Sequence, residues 1–144
     1  MPGVSEMAVL RSEAETEAAG RQMGSTISGG TTVLLYGDLG AGKTAFVRGL
    51  ADGLGIDRAQ VSSPTFTIVQ EYRGGRLILQ HVDLYRLSSP EIHDLALEDL
   101  AGPETVMAVE WAERLPEAPP GALVEVRLSH AGDGRTLELR RLSA

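Results

Sequence analysis

The sequence predicts an α/β sandwich in which helices cover both faces of a mixed sheet, and three observations predict it. Short β-branched and apolar runs alternate with stretches of helical spacing along the chain. A glycine-rich segment, Gly37 to Thr44, joins one such run directly to one such stretch. Two glycine turns, Gly74-Gly75 and Gly132-Asp133-Gly134, each separate a pair of strand-like runs and make part of the sheet antiparallel.

In chain order, the first seven or so residues carry no usable pattern and are expected to form a flexible N-terminal segment of one 144-residue domain. Ser12 to Glu15 reads as an S-x-x-E capping box opening a helix toward Thr26. Thr31 to Tyr36 is β-branched and apolar, a buried strand. From Thr44 the apolar residues Val47, Leu50, Ala51 and Leu54 recur at helical spacing, with Gly55 as the stop. Thr65 to Tyr72 and Leu77 to Val82 read as a hairpin around Gly74-Gly75, and Ser89-Pro90-Glu91 starts a helix running toward Leu100. Thr105 to Val109 is a second buried strand that ends at Glu110. After the proline-rich stretch from Pro116 to Gly121, Leu123–Leu128 and Thr136–Leu142 form the last two strands.

Composition narrows the function. A hydrophobic share of 42% and a charged share of 23% are ordinary for a globular protein. The absence of cysteine excludes disulfides, thiolate metal sites and a cysteine nucleophile. No apolar stretch is long enough to span a bilayer and no secretory pattern opens the chain, so a cytoplasmic location is expected. A net charge of −7 disfavours direct, strong binding of nucleic acid. Lys43 is the only lysine among 13 basic residues, and it lies inside the glycine-rich segment. Arginine's planar fork does not replace a compact ammonium where a pocket is built for a point charge.

Gly37 to Thr44 satisfies G-x-x-x-x-G-K-[ST], the phosphate-binding loop between a strand and a helix. The fold class is therefore a P-loop NTPase-like three-layer sandwich. Leu39, Gly40, Ala41, Gly42, Lys43 and Thr44 are the nucleotide-binding residues: backbone N–H groups and the helix N-terminus face the phosphates, and Lys43 reaches the β- and γ-phosphates. The Thr44 hydroxyl ligates Mg²⁺. Asp83 and Glu110 each end a strand where a carboxylate can hold Mg²⁺ or orient the attacking water, so both join Lys43 as catalytic candidates, and their division of roles stays open. ATP is favoured over GTP because the N/T-K-x-D guanine motif needs a second lysine.

Thr65, in the loop after the nucleotide-binding helix, is a candidate γ-phosphate sensor, with a proline-anchored turn as the alternative. His81 shares a strand face with Asp83 and is read as a packed or hydrogen-bonded histidine, and His93 as a helix-surface residue. Trp111 is either a core residue or one presented at the site or an interface. Arg86 and Arg114 are candidates for an internal arginine finger. Arg127, Arg135, Arg140 and Arg141 of the C-terminal hairpin make a solvated strand face, a docking surface, or a contact from the Gly132–Arg135 turn to the base side of the nucleotide.

Four blocks in this order and spacing carry a resemblance: Gly37–Thr44, Ser63-Pro64-Thr65-Phe66-Thr67, His81-Val82-Asp83-Leu84-Tyr85-Arg86-Leu87 and Val109-Glu110-Trp111-Ala112-Glu113-Arg114-Leu115. The set resembles the small bacterial ATPases of tRNA threonylcarbamoyladenosine biosynthesis, the TsaE (YjeE) family. The resemblance implies an ATPase that joins a threonylcarbamoyl-transferase subunit (TsaD-like) and its paralogue (TsaB-like), meets tRNA only through that complex, and is slow alone. It implies metal ligation by Thr44 and Glu110 with Asp83 as the Walker-B-like acid. It also implies a phosphate-sensing Thr65 and a Trp111 at the site or interface. The family usually has glycine in the L-G-L-like stretch where this chain has Leu95-Ala96-Leu97, which puts that local turn in question. The alternatives are a small-molecule kinase, for which no arginine-bearing lid is visible, and a nucleotide-gated binding module with negligible hydrolysis.

Overall fold

A computed structural model describes residues 4–37, 42–61 and 68–142. Seven strands form one sheet: β1 (Val4–Leu10), β2 (Thr31–Tyr36), β3 (Val69–Tyr72), β4 (Ile78–Asp83), β5 (Thr105–Glu110), β6 (Ala122–Ala131) and β7 (Gly134–Leu142). Their order is β1-β7-β6-β2-β5-β4-β3. The four central strands β6, β2, β5 and β4 are parallel, whereas the pairs β1–β7, β7–β6 and β3–β4 are antiparallel. The mixed sheet is the one the two glycine turns predict.

Because β2 is covered on both faces, nearly every residue of Thr31–Tyr36 is buried, as in other central parallel strands. Val33 and Leu35 point toward α1 (Glu13–Thr26) and α2 (Lys43–Gly53), packing with Met23, Phe46, Val47 and Leu50. Leu34 points the other way, joining Val82, Met107 and Val109 under α3 (Ser89–Asp94) and α4 (Leu97–Leu100) through Ile92 and Leu97. Two helical layers thus enclose the sheet.

Three local outcomes differ from the sequence pattern. The N-terminal residues are expected to be flexible, but from Val4 onward they pair with β7 along the whole of β1, from Val4↔Arg141 to Leu10↔Arg135. The pattern missed this strand because it lies at the sheet edge: Met7 and Val9 are 73% and 67% exposed, so no one-sided burial marks it. At α1, Ser12 accepts from the Glu15 amide at 3.2 Å as expected of an N-cap. Glu15, however, accepts from the Arg11 amide rather than closing a box on Ser12. The reciprocal capping box is found at α3, where Ser88 and Glu91 satisfy each other's backbone.

The helix expected from Ser89 to Leu100 is broken in two by Ala96, whose φ of 49° and ψ of 56° are left-handed. This is the alanine that stands where the resembled family has glycine. A left-handed L-residue costs roughly 1–2 kcal/mol, while a glycine there gives up about 0.4–1 kcal/mol to the freedom of the unfolded chain. Ala96→Gly is therefore expected to stabilise the protein by about 0.5–1 kcal/mol, read as a later urea midpoint at unchanged slope. A midpoint that stays put or falls would remove the strain at this turn.

α1 and α2 approach each other unusually closely. Gly20 and Gly24 on α1 face Gly49 and Gly53 on α2, and a Cβ on any of the four would fall 1.8–2.3 Å from a backbone carbonyl oxygen of the other helix. Above them, the largely buried Glu17 bonds Arg58 and lies 3.7 Å from Arg48 and 3.9 Å from Arg21. The contact brings Thr16 of α1 against Gly42, where an added Cβ would meet its methyl at 3.3 Å. α1 thereby packs against the start of α2.

Candidate active site

The site forms where β2 ends, at the carboxyl edge of the parallel strands, which is where open α/β sheets place their ligands. Gly37 follows β2 directly, and the chain re-enters the described residues at Gly42, the N-cap of α2. Gly42 is left-handed at φ 102°, and among the described residues no side chain caps the helix. No acidic residue lies in the first turn of α2. Its first amides and dipole therefore remain open to an anion.

Lys43 opens α2 and is only 5% exposed. Its Nζ donates to the Gly37 carbonyl at 2.7 Å and sits 3.9 Å from the centroid of the Trp111 ring. Among the described residues it forms no ion pair, in contrast to Arg21, Arg48 and Arg58, each of which meets a carboxylate. A buried ammonium whose partners among the described residues are a carbonyl and an aromatic face fits a phosphate-bearing ligand as its counter-charge.

The two acids arrive by sheet register. Asp83 ends β4 and Glu110 ends β5, directly opposite each other in the parallel pairing, and Glu110 is also opposite Leu35 of β2. The alternation of the strands puts His81, Asp83 and Glu110 on the face that carries α2. Glu110 is buried and its Oε2 lies 2.5 Å from Nε2 of the fully buried His81. Asp83 is half-buried and accepts from the Tyr85 amide at 2.9 Å. Burial, and secondarily the Glu110 carboxylate, raises the Asp83 carboxyl above its ordinary range, against the pull of the Tyr85 amide and of Lys43. Two carboxylates at the ends of neighbouring strands offer oxygen donors of the kind that suits a hard divalent cation such as Mg²⁺.

Of the residues the sequence nominates, Gly42, Lys43, Asp83 and Glu110 converge here, with Thr44 half-buried in the first turn of α2. Leu39, Gly40, Ala41 and Thr65 lie outside the described residues. Trp111, left open by the sequence, stands at the site in a left-handed conformation (φ 60°), its ring over Lys43 and 4.9 Å from the ring of Tyr85. Arg86 and Arg114 are exposed, and Arg114 sits 5.9 Å from the Tyr85 ring. His93 is on the surface, as read. Trp111 also borders an open cavity of about 210 Å³ with Tyr36, Gly37, Glu113 and Arg127, and the Arg127 guanidinium lies 4.2 Å above the Tyr36 ring. The stack of Tyr85 on Trp111 and the pairing of His81 with Glu110 cross strands or turns, so no local spacing announces them.

A family model, that of the threonylcarbamoyl adenosine biosynthesis protein TsaE, matches residues 10–137. This chain belongs to the TsaE family. It is 49% identical over 108 residues to the tRNA threonylcarbamoyladenosine biosynthesis protein TsaE of Synechocystis sp., covering 72% of this chain and 68% of that one. Against the Bacillus subtilis protein of the same name it is 43% identical over 119 residues, covering 83% and 74%. The crystal structure of YdiB from Bacillus subtilis superposes with a TM-score of 0.79 at 30% identity, covering 99% of this chain and 89% of that one. The TsaE resemblance drawn from the four sequence blocks is thus borne out, as is the mixed α/β sandwich. Among the described residues no helix is long and apolar enough to cross a membrane.

Proposed function

We infer that this TsaE-family chain is a Mg²⁺-dependent ATPase of the cytoplasm that sustains tRNA threonylcarbamoyladenosine modification by hydrolysing ATP together with a transferase subunit and its paralogue. The observation that carries the reading is the convergence of the buried Lys43, which forms no ion pair among the described residues, at the start of α2 with two carboxylates at adjacent parallel strand ends. The amides at the start of α2 bind the phosphate oxygens, and Lys43 neutralises the charge that grows on the β–γ bridge as the bond to the γ-phosphate breaks. Mg²⁺, held by Thr44 with Glu110 and Asp83, would supply further neutralisation of the β- and γ-oxygens. In this reading Glu110 also orients the attacking water. Trp111 covers the ammonium and limits access of bulk solvent to it.

A net charge of −7 supports the view that tRNA is met through the partners rather than by this chain. Phosphate release is to be measured with the transferase subunit and its paralogue added singly and together. Stimulation only in the presence of partners is expected, and Glu110→Ala should lower the stimulated rate by roughly 10²–10³-fold. Absence of any stimulated hydrolysis, or phosphate recovered on a metabolite, would overturn the reading.

A further inference from the structure

His81 is fully buried on β4, between Leu79 and Asp83 on its own strand face and opposite Ala108 of β5. Its Nε2 engages Glu110 Oε2 at 2.5 Å, while Nδ1 is buried with no hydrogen-bond partner among the described residues. A buried nitrogen left unpartnered is unfavourable, so packing alone gives no reason for an imidazole here. The Nε2 bond does. A carboxylate accepts, so Nε2 is the donor of this bond, and Nδ1 meets no acceptor among the described residues. The ring is thus a donor with a single direction.

What that donor prevents is visible next door. Lys43 lies close enough to influence Asp83, and it stands over Trp111, the residue that follows Glu110. Yet it has no carboxylate within ion-pair distance among the described residues. A glutamate free to rotate beside a buried ammonium would pair with it and withdraw both groups from a ligand. Glu110 Oε1 takes no hydrogen bond from any described residue.

We propose that His81 is a positioning residue: its Nε2–H holds Glu110 Oε2 away from Lys43, keeping Oε1 for the metal and water side of the site and the ammonium for phosphate. The proposal rests on the Mg²⁺–ATP reading of that site. Hydrogen-bonded partners of ligating carboxylates typically change metal affinity or activity by about 10–100-fold when removed.

The test compares His81→Leu, which fills the volume without a donor, with His81→Gln, which retains a side-chain N–H. With ATP fixed, Trp111 fluorescence follows a Mg²⁺ titration of the isolated protein. His81→Leu is expected to raise the half-saturating Mg²⁺ concentration by about 10-fold or more, with ATP binding in chelator weakened far less, and His81→Gln to recover most of the loss. In the partner-stimulated assay the same variant should lose kcat by a similar factor with KM nearly unchanged. Equal Mg²⁺ dependence of His81→Leu and wild type, or a His81→Gln as impaired as His81→Leu, would overturn the proposal. Should His81→Leu fail to fold, ring ¹⁵N–¹H spectra of the nucleotide-free wild type decide: the Nε2–H tautomer is required, and an Nδ1–H ring refutes it. If partner-stimulated hydrolysis proves absent, the ATPase reading falls while the fluorescence and tautomer measurements still judge His81.

Discussion

Replacing Gly49 by alanine is expected to destabilise the protein by about 3 kcal/mol, although alanine is the better helix former by about 1 kcal/mol. The Cβ would lie 1.8 Å from the Glu17 carbonyl oxygen, and that obstacle is backbone of the facing helix rather than a side chain that can swing away. The helices must separate, which opens voids around Phe46 and Leu50 and pulls Thr16 from Gly42. Gly53→Ala, at 2.2 Å from the Arg21 carbonyl, should behave alike. Gly74→Ala is the contrasting variant, since nothing lies within 4 Å and only its left-handed φ of 111° is strained, so a loss nearer 1 kcal/mol is expected. Urea denaturation of the three variants checks the order. A Gly49→Ala protein as stable as wild type would mean that the helices are not in backbone contact.

Lys43→Met should remove function without costing stability. The apolar side chain keeps the packing of the Lys43 stem but removes the ammonium that bonds the Gly37 carbonyl and lies over the Trp111 ring. Loss of roughly 10³-fold or more in stimulated kcat/KM for ATP is expected, with Lys43→Arg giving little rescue because a planar fork does not fit a cradle for a point charge. The nucleotide-free protein should be at least as stable as wild type. Desolvating an ammonium costs several kcal/mol, against about 2 kcal/mol from an aromatic face and about 1.5–3 kcal/mol from a hydrogen bond by a charged donor. Thermal denaturation without nucleotide, paired with the ATPase assay, measures both signs. A Lys43→Met protein that hydrolyses ATP normally with the partners would dismiss the assigned site.

Much of the fold is legible in the sequence because its signals are local. The limits of β2 and β5 follow from short apolar runs, and Ser12 marks the start of α1, since strand burial and helix capping are decided within a few residues. The solitary Lys43 and the acids Asp83 and Glu110 stand out for the same reason. β1 does not, because an edge strand with Met7 and Val9 in solvent leaves no periodic trace of burial. The break at Ala96 is masked by alanine's own helical preference, although its departure from the family's glycine pointed to that turn.

The sequence by itself determined a strand and a helix joined by a G-x-x-x-x-G-K-T segment, two acids at strand ends and membership of the TsaE family, because each is written as residue types at fixed spacing. Tertiary structure alone decided what those groups touch. Parallel register sets Asp83 beside Glu110, a 2.5 Å bond joins His81 to Glu110 across β4 and β5, and Trp111 turns back over Lys43. Four glycines, spaced four apart on each helix as Gly20/Gly24 and Gly49/Gly53, proved to be the contact that holds α1 against α2. Such relations depend on the distance between segments far apart in the chain, and packing, not local propensity, sets that distance.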